Sequence, residues 1–446
     1  MSRWVRHPDT SATRIGRHQN APAVSNYGQT EPMRSPGSQG TYASLAVPTY
    51  RTLFTAAGIA FLSIQAQAVA RGWLANELTG SNAGLGGVFM AFGIPMLLAT
   101  PMGGVAADRY SKRRILIVTQ TMLTVGALWI GLGVSFGFVE YWMLLVVSVI
   151  QGTAFAFLAP ARMAMTSEVV GRELLTNAIV LSQMSSNAAR VVGPAIAGVF
   201  IATPWIGTAG VYHVSTVLSV VSIVGLRTLP EGVPHEPTAT SAWSDFGDSL
   251  RYVTRHRQVG LLLLVSFFVV MIGFPYLAFI PRYSTNVLGV GATGYGVLSA
   301  VSAVGAVLAS MYVAGRAKGL IAWRIQTISG VTFGVSLGLM AYAPSYGLAL
   351  IAVFVVGAAS SAFQAMNNSL MLSLTELEYH GRVQSLMMLS WGGFGMAALP
   401  LGTLADSIGL RDTIAITGAF VVASMAWYVL ASGRARRQVG DAIALA

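Results

Sequence analysis

Twelve runs of roughly twenty apolar, almost uncharged residues follow one another along this chain, and a helix of that length is what crosses a bilayer core. They lie near 51–74, 85–106, 114–136, 141–162, 176–201 and 208–228, then near 259–281, 292–315, 323–342, 346–371, 384–404 and 412–432. Backbone groups in lipid must bond within their own segment, and a helix does this. Only 10% of the 446 residues are charged and 54% are hydrophobic, against about 25% charged in a soluble domain. The reading is an all-α membrane protein, not the two or three soluble domains that length alone allows.

The basic residues give the expected orientation. With both termini cytoplasmic, all 27 Lys and Arg except Arg71, Arg190, Arg282 and Arg411 fall in the termini or in the alternate, cytoplasmic loops. This is the positive-inside pattern. It accounts for the net charge of +11 without nucleic acid. The expected location is the cytoplasmic (inner) cell membrane, in many passes. Residues 1–47, polar and rich in Ser, Gly, Pro and Arg, read as a disordered cytoplasmic extension without a secretion signal. Residues 48–228 and 259–432 read as two six-helix bundles, joined by a linker at 229–258 and followed by a tail at 433–446. In the linker, Trp243, Phe246, Leu250 and Val253 recur at helical spacing opposite Asp245, Asp248, Arg251 and Arg255. That pattern suits an amphipathic helix on the membrane surface.

A faint repeat relates the halves. "GRELLTNAIVLSQ" begins at Gly171 and "GRVQSLMMLSWGG" at Gly381, while the basic loop at 103–114 has a counterpart in "AGRAKGLIAWR" at 314–324. Two pseudo-symmetric halves with a ligand site between them are the usual build of a secondary transporter. A nucleotide-binding P-loop requires Gly-Lys-Ser/Thr, and neither lysine, Lys112 or Lys318, follows a glycine. Uphill transport must therefore draw on a proton or other ion gradient, or on a separate partner. There are no cysteines, and no metal spacing, paired carboxylates or nucleophile elbow lies in the spans. No enzyme activity, cofactor or metal is expected. The expected partners are a small-molecule substrate and the lipid bilayer, and the expected state is a monomer.

The stretch "GGVAADRYSKRR" at 103–114 places Asp108 at the negative end of the second helix's dipole, where a carboxylate needs compensation. Arg109, Lys112, Arg113 and Arg114 supply it, or the N-terminus of another helix does. Gly103 and Gly104 permit a close helix approach. One reading is a latch that holds in one conformation and breaks in another. The plainer reading is a basic loop obeying the orientation rule.

The same stretch resembles the loop 2–3 signature of the major facilitator superfamily, G-x-x-x-D-R-x-G-R-R/K. Gly104, Asp108, Arg109, Lys112 and Arg113 match it, with Ser111 in place of the usual glycine. The resemblance implies the twelve-helix major facilitator fold and a latch from Asp108 to the start of the eleventh helix, at Gly381 and Arg382. "GWLANELTGSNAGLG", "RVVGPAIAG", "DSLRYVTRHRQVGLLL" and "GRVQSLMML" resemble its enterobactin-exporter-like, transmembrane secretion effector branch. Ala189, Gly193, Pro194, Ala197 and Gly198 resemble the antiporter signature of the fifth span, which implies export. In physical terms proline kinks the helix and small residues allow tight packing, so a kinked packing helix is the alternative. Proton-coupled members often carry R-x-x-Q-G in the fourth span; Gln151 and Gly152 match, but Ser148 stands where the arginine would be.

Inside the membrane the available groups are cations and amides. Arg71 follows Gln65 and Gln67 in the first span, and Arg190 follows Asn187 in the fifth. A buried arginine normally faces the bundle interior or a watery cavity. These residues, with Gln364, Asn367 and Asn368 of the tenth span, are candidate contacts for an anionic or oxygen-rich substrate; interhelical ties or snorkelling are the alternatives. Phe267, Phe268, Met271, Phe274 and Tyr276 of the seventh span are a candidate aromatic wall, or packing residues. None of the 16 acids lies well inside a span, so proton antiport rests on resemblance. His213, the one histidine within an apolar run, is a possible proton switch or an interfacial hydrogen-bonding group. The expected function is export of a siderophore- or drug-like molecule by alternating access, with multidrug resistance or siderophore export as its setting. An importer or lipid-moving facilitator, or a scaffold that moves nothing, are the alternatives.

Overall fold

The structure, a computed structural model, describes residues 42–232, 251–314, 319–376 and 379–444. The expected extension over 1–41 and most of the linker lie outside them. The first half contains α1 (Pro48–Thr79), α2 (Asn82–Arg109) and α3 (Lys112–Ser135), then α4 (Tyr141–Gly171), α5 (172–202) and α6 (Gly207–Arg227). The second contains α7 (Arg257–Val287), α8 (Gly291–Ala314), α9 (Gly319–Ala341), α10 (Tyr346–Leu374), α11 (His380–Ile408) and α12 (Leu410–Ala444). Among the described residues, nine helical spans are long and apolar enough to cross a membrane by themselves. The other three, α5, α9 and α11, occupy the fifth, ninth and eleventh expected runs.

Local chemistry explains the joints. Pro48 opens α1, and Gly80 closes it at φ +56°, its amide donating to the Asn76 carbonyl. Ser81 then caps α2, its Oγ accepting from the Gly84 amide at 2.9 Å, the usual N-cap bond. Three features differ from the expected pattern. No polar loop separates α4 from α5: helix runs through 163–170 and breaks only at Gly171, φ +68°. The seventh span extends to Val287 through two π-helical segments, Val269–Gly273 and Tyr283–Val287. Ahead of α1, inside the segment expected to be disordered, Ala43–Ala46 forms a 3-10 turn. It docks on α5 because Ser44 donates both its amide and its Oγ to Asn177 Oδ1, at 3.0 and 2.7 Å. Of the candidate linker helix, residues 251–255 are described and helical.

The two halves repeat one packing scheme. In the first, α1 lies against α5 and α6, α2 against α4, and α3 against α4 and α6. In the second, α7 lies against α11 and α12, α8 against α10, and α9 against α10 and α12. The equivalence reaches single residues: Gly152 of α4 meets the Phe92 carbonyl of α2, and Gly357 of α10 meets the Ser302 carbonyl of α8. Removing the side chain lets backbones touch where lipid offers no hydrophobic drive to hold helices together.

Candidate functional site

The halves meet along two seams, and both lie at one end. The end carrying the α2–α3 loop is termed here the basic face. At the opposite face, a methyl on Gly93 of α2 would stand 2.6 Å from Gly395 Cα of α11. Gly198 of α5 likewise backs directly onto Gly296 of α8. Trp73 of α1 stacks on Tyr295 of α8, centroids 6.2 Å apart, and closes the third side. Toward the basic face the contact ends: Leu98 and Met102 of α2 are 64% and 59% exposed.

A carboxylate clasps the closed end. Asp406 Oδ1 accepts from the Asn82 amide at 2.9 Å and from Asn82 Nδ2 at 2.8 Å, and its Oδ2 accepts from the Ala83 amide at 2.8 Å. These amides begin α2, where helix donors are free and the dipole favours an anion. Asp406 lies beyond the apolar run of α11. Burial raises its pKa, but the amides of Ala83 and Asn82, the Asn82 side chain and the charge of Arg282 outweigh that and hold the carboxyl below its ordinary value. The clasp is ionised at neutral pH.

Beneath the seal lies a buried polar chain. Arg71, 7% exposed, donates through Nη1 to Gln151 Oε1. Gln151 Nε2 donates to Gln67 Oε1 at 3.3 Å, and Gln67 Nε2 to Ser63 Oγ at 3.1 Å. Ser63 Oγ donates to the Ser215 carbonyl of α6 at 3.0 Å. Arg71 thus brings a guanidinium from α1 to the Gln151 whose own helix offers only Ser148. Its Nε has no acceptor among the described residues. The guanidinium also stands 6.0 and 5.9 Å from the ring centres of Phe89 and Phe92, at the limit of cation–π range.

From Phe89 an aromatic line crosses into the second half: Phe394 at 5.4 Å, Trp391 at 6.2 Å from it, then Phe274 and Phe333 at steps of 5.3 Å. Phe274 is itself buried, and the half-buried Trp391 forms the line's open part. The other seventh-span aromatics diverge, with Phe268 against Phe420 of α12 and Phe267 against Gly393. Tyr276 packs on Phe333.

Helix geometry orients Arg190. The exposed Val192 and Val199 follow it by two and nine residues, which places them about 180° around α5. That apolar face meets lipid, so the exposed Arg190 points into the space between the halves. Asn187, one turn before it, accepts from Gln183 Nε2 at 3.2 Å. Gly193 allows α5 to close on Gln65 of α1, and Pro194 is buried one residue on. In the second half, Asn367 is fully buried and its Oδ1 accepts from Gln326 Nε2 at 3.4 Å, tying α10 to α9. Gln364 is half-buried, and the Asn368 Oδ1 is a buried acceptor without a partner among the described residues. His213 lies away from these groups, on the α3–α6 pair, 2.8 Å from Ser135 Oγ.

Of the expected latch, the side chains of Asp108, Gly381 and Arg382 lie outside the described residues. Gly104 is half-buried and Arg109 exposed. Lys112, 1% exposed, pairs with Glu168 of α4 at 2.6 Å, and Arg113 pairs with Glu231 beyond α6 at 2.7 Å. The first tie stays within the first half, and the second reaches the start of the 229–258 segment. Removing one partner of a buried pair leaves a bare charge. Glu168→Gln is therefore expected to lower thermal stability in detergent by about 3 kcal/mol, and Lys112→Met with Glu168→Met to recover most of it.

The model of the transmembrane secretion effector family matches residues 39–441. The chain belongs to that family, within the major facilitator superfamily. This transmembrane secretion effector is 22% identical to the staphyloferrin A transporter of Staphylococcus aureus, covering 73% of this chain and 81% of the relative. It is 29% identical to the multidrug efflux pump Tap of Mycolicibacterium fortuitum, over 77% and 86%, and 21% identical to the enterobactin exporter EntS of Shigella flexneri, over 76% and 80%. Solved structures share the fold. A bacterial homologue of the human lysosomal transporter Spinster, inward-facing and unoccupied, gives a TM-score of 0.70 at 15% identity, over 90% of this chain and 99% of that one. The nucleoside transporter NupG gives 0.68 at 13%, over 86% and 98%. This family member is a multi-pass membrane transporter.

Sequence reasoning passed over Asp406. The spacing Gly402 to Asp406 repeats that of Gly104 to Asp108, and this was the available signal for the clasp.

Proposed function

We propose that the protein exports an oxygen-rich or anionic organic molecule, small to medium in size, by alternating access. The bundles 48–228 and 259–432 rock as units about the two seams, tethered by 229–258, in a monomer with both termini cytoplasmic. The basic face is then the cytoplasmic one, and the structure is the form open to the cytoplasm. The observation that carries the reading is Arg190: a cation without a carboxylate partner among the described residues, on the inner face of α5 and on the open side of a closed seam. An anionic cargo supplies the missing charge, and the Trp391–Phe394–Phe89 line supplies a wall for aromatic or bulky parts. The relatives include a staphyloferrin A transporter, an enterobactin exporter and a multidrug efflux pump. Export, rather than import, follows the exporters among them and the Gly193–Pro194 kink.

The proposed energy source is proton antiport. A second reading, a facilitator indifferent to the gradient, draws on the placement of the described carboxylates, from Glu77 to Asp412, at helix ends. Purified protein in liposomes, given carboxylate and catecholate siderophores and bulky antibiotics under an imposed pH gradient, separates the two. Gradient-driven movement of any compound supports antiport, and movement that ignores the gradient supports the facilitator. No movement of an anionic compound under either condition contradicts export of this class. Arg190→Ala is expected to weaken binding of a transported anion by about tenfold, the worth of one charge-assisted hydrogen bond. Arg190→Lys should recover part of the loss; unchanged binding in both variants would make Arg190 structural.

A further inference from the structure

Within the first half, apart from the seams, α1, α3, α4 and α6 line a narrow, partly open recess with about 20 Å³ of internal space. Each helix contributes one stripe to it. Leu53, Ala60 and Phe61 come from α1, Leu158 and Arg162 from α4, Gln120 from α3 and Leu226 from α6. The wall is apolar except for Gln120, Arg162 and Ser222, and Ser222 Oγ is satisfied by donating to the Ala56 carbonyl at 2.9 Å. Gln120 is 1% exposed and its Nε2 has no hydrogen-bond acceptor among the described residues. Arg162 is half-buried and has no carboxylate partner among the described residues. A guanidinium and an amide donor that lack partners among the described residues and face one largely apolar recess are costly unless something anionic joins them.

Depth narrows the class of ligand. Tyr141 and Trp142 open α4 at the opposite face, as interfacial aromatics do. Arg162 follows Trp142 by twenty residues, about 30 Å along a helix, which matches the thickness of the hydrocarbon core. Its guanidinium therefore stands at the headgroup boundary of the basic-face leaflet. From Leu53 to Ile64 the recess follows α1 for about 16 Å toward the membrane centre. We infer that this recess binds an anionic amphiphile, with one phosphate or carboxylate on Arg162 and Gln120 and an alkyl chain descending past Phe61 and Ile64. The site is separate from the Arg71–Arg190 region, and the ligand is held there rather than transported through the seams.

The test is titration of purified full-length protein with decyl phosphate, decanoate, decanol and inorganic phosphate, followed by calorimetry. Decyl phosphate and decanoate are expected to bind, with decanol and inorganic phosphate weaker by about tenfold or more, since each lacks one half of the interaction. Arg162→Gln and Gln120→Leu should each weaken decyl phosphate, and Arg162→Lys should retain most of it. Equal binding by a folded Arg162→Gln protein overturns the site. Inorganic phosphate binding as tightly as decyl phosphate makes it an ion site and overturns the amphiphile. Photolabelling of the wild-type protein with a diazirine-tagged decyl phosphate covers the case in which the variants fail to fold. Labels on α1 or α4 of the recess support the proposal, and labels confined elsewhere contradict it.

Discussion

Gly198→Leu is expected to abolish transport while leaving membrane insertion intact. Gly198 and Gly296 meet backbone to backbone at the α5–α8 seam, and even a methyl at Gly198 overlaps Gly296 Cα. A leucine there has no flexible neighbour to displace, so the closed opposite face must separate. Overpacking of this kind costs about 3 kcal/mol or more, which is about a hundredfold in the open–closed equilibrium. The variant should be held open toward the opposite face, because only the closed form contains the clash. Within-half packing is untouched, so yield and thermal stability should stay near those of the wild-type protein. Wild-type turnover in a correctly inserted Gly198→Leu protein would show that this seam does not open and close during transport.

The second large effect is expected at Asp406. Its three hydrogen bonds to the start of α2 exist only when α2 and α11 are together. Charge-assisted bonds are worth about 1.5–3 kcal/mol each when dry, but Asp406 is exposed, and screening reduces the sum to about 1–2 kcal/mol. Asp406→Ala should therefore shift the equilibrium toward the open opposite face by about tenfold, without the block that Gly198→Leu imposes. The pH dependence has a definite sign. Because the clasped carboxyl sits below its ordinary value, the clasp is at full strength above that value and is lost as pH falls through the depressed one. Opening of the opposite face should thus be independent of pH from about 5 to 8 as far as Asp406 is concerned. Spin-label distances across α2 and α11, measured over that range and down to acid, test both statements. A clasp that releases near neutrality would make Asp406 a proton carrier and contradict this account.

The membrane architecture was legible because lipid leaves so few solutions for a backbone. Each apolar run had to be a helix, and the basic residues ordered the runs. What stayed hidden depended on contacts between distant positions. Gly171 breaks a helix in a stretch, "MAMTSEVVGRELL", that is apolar enough to continue one, so the expected loop was one residue. Ser148 marked a missing arginine, but nothing local says that Arg71, 80 positions earlier than Gln151, fills the place. Asp406 looked like an ordinary acid closing a span, since its partners lie 324 positions away. Arg162 was absorbed by the orientation rule as one more base of a loop, whereas α4 carries it inside the bundle. Orientation counts charges without asking where they point, which is why a half-buried cation escaped it.

The central claim is that the two halves alternate around the Arg190 region. The chain has no native cysteine, so two label pairs can be introduced without background. One pair, at Phe138 and Tyr342, spans the halves at the opposite face; the other, at Tyr110 and Leu320, spans them at the basic face, and all four positions are exposed. Electron–electron distance measurements on each pair in lipid, with and without a transported compound, test the claim most directly. The account requires two distance populations in each pair, the long one at one face accompanying the short one at the other, with the compound shifting their balance. A single unchanging distance in both pairs, or a joint widening at both faces, would contradict it.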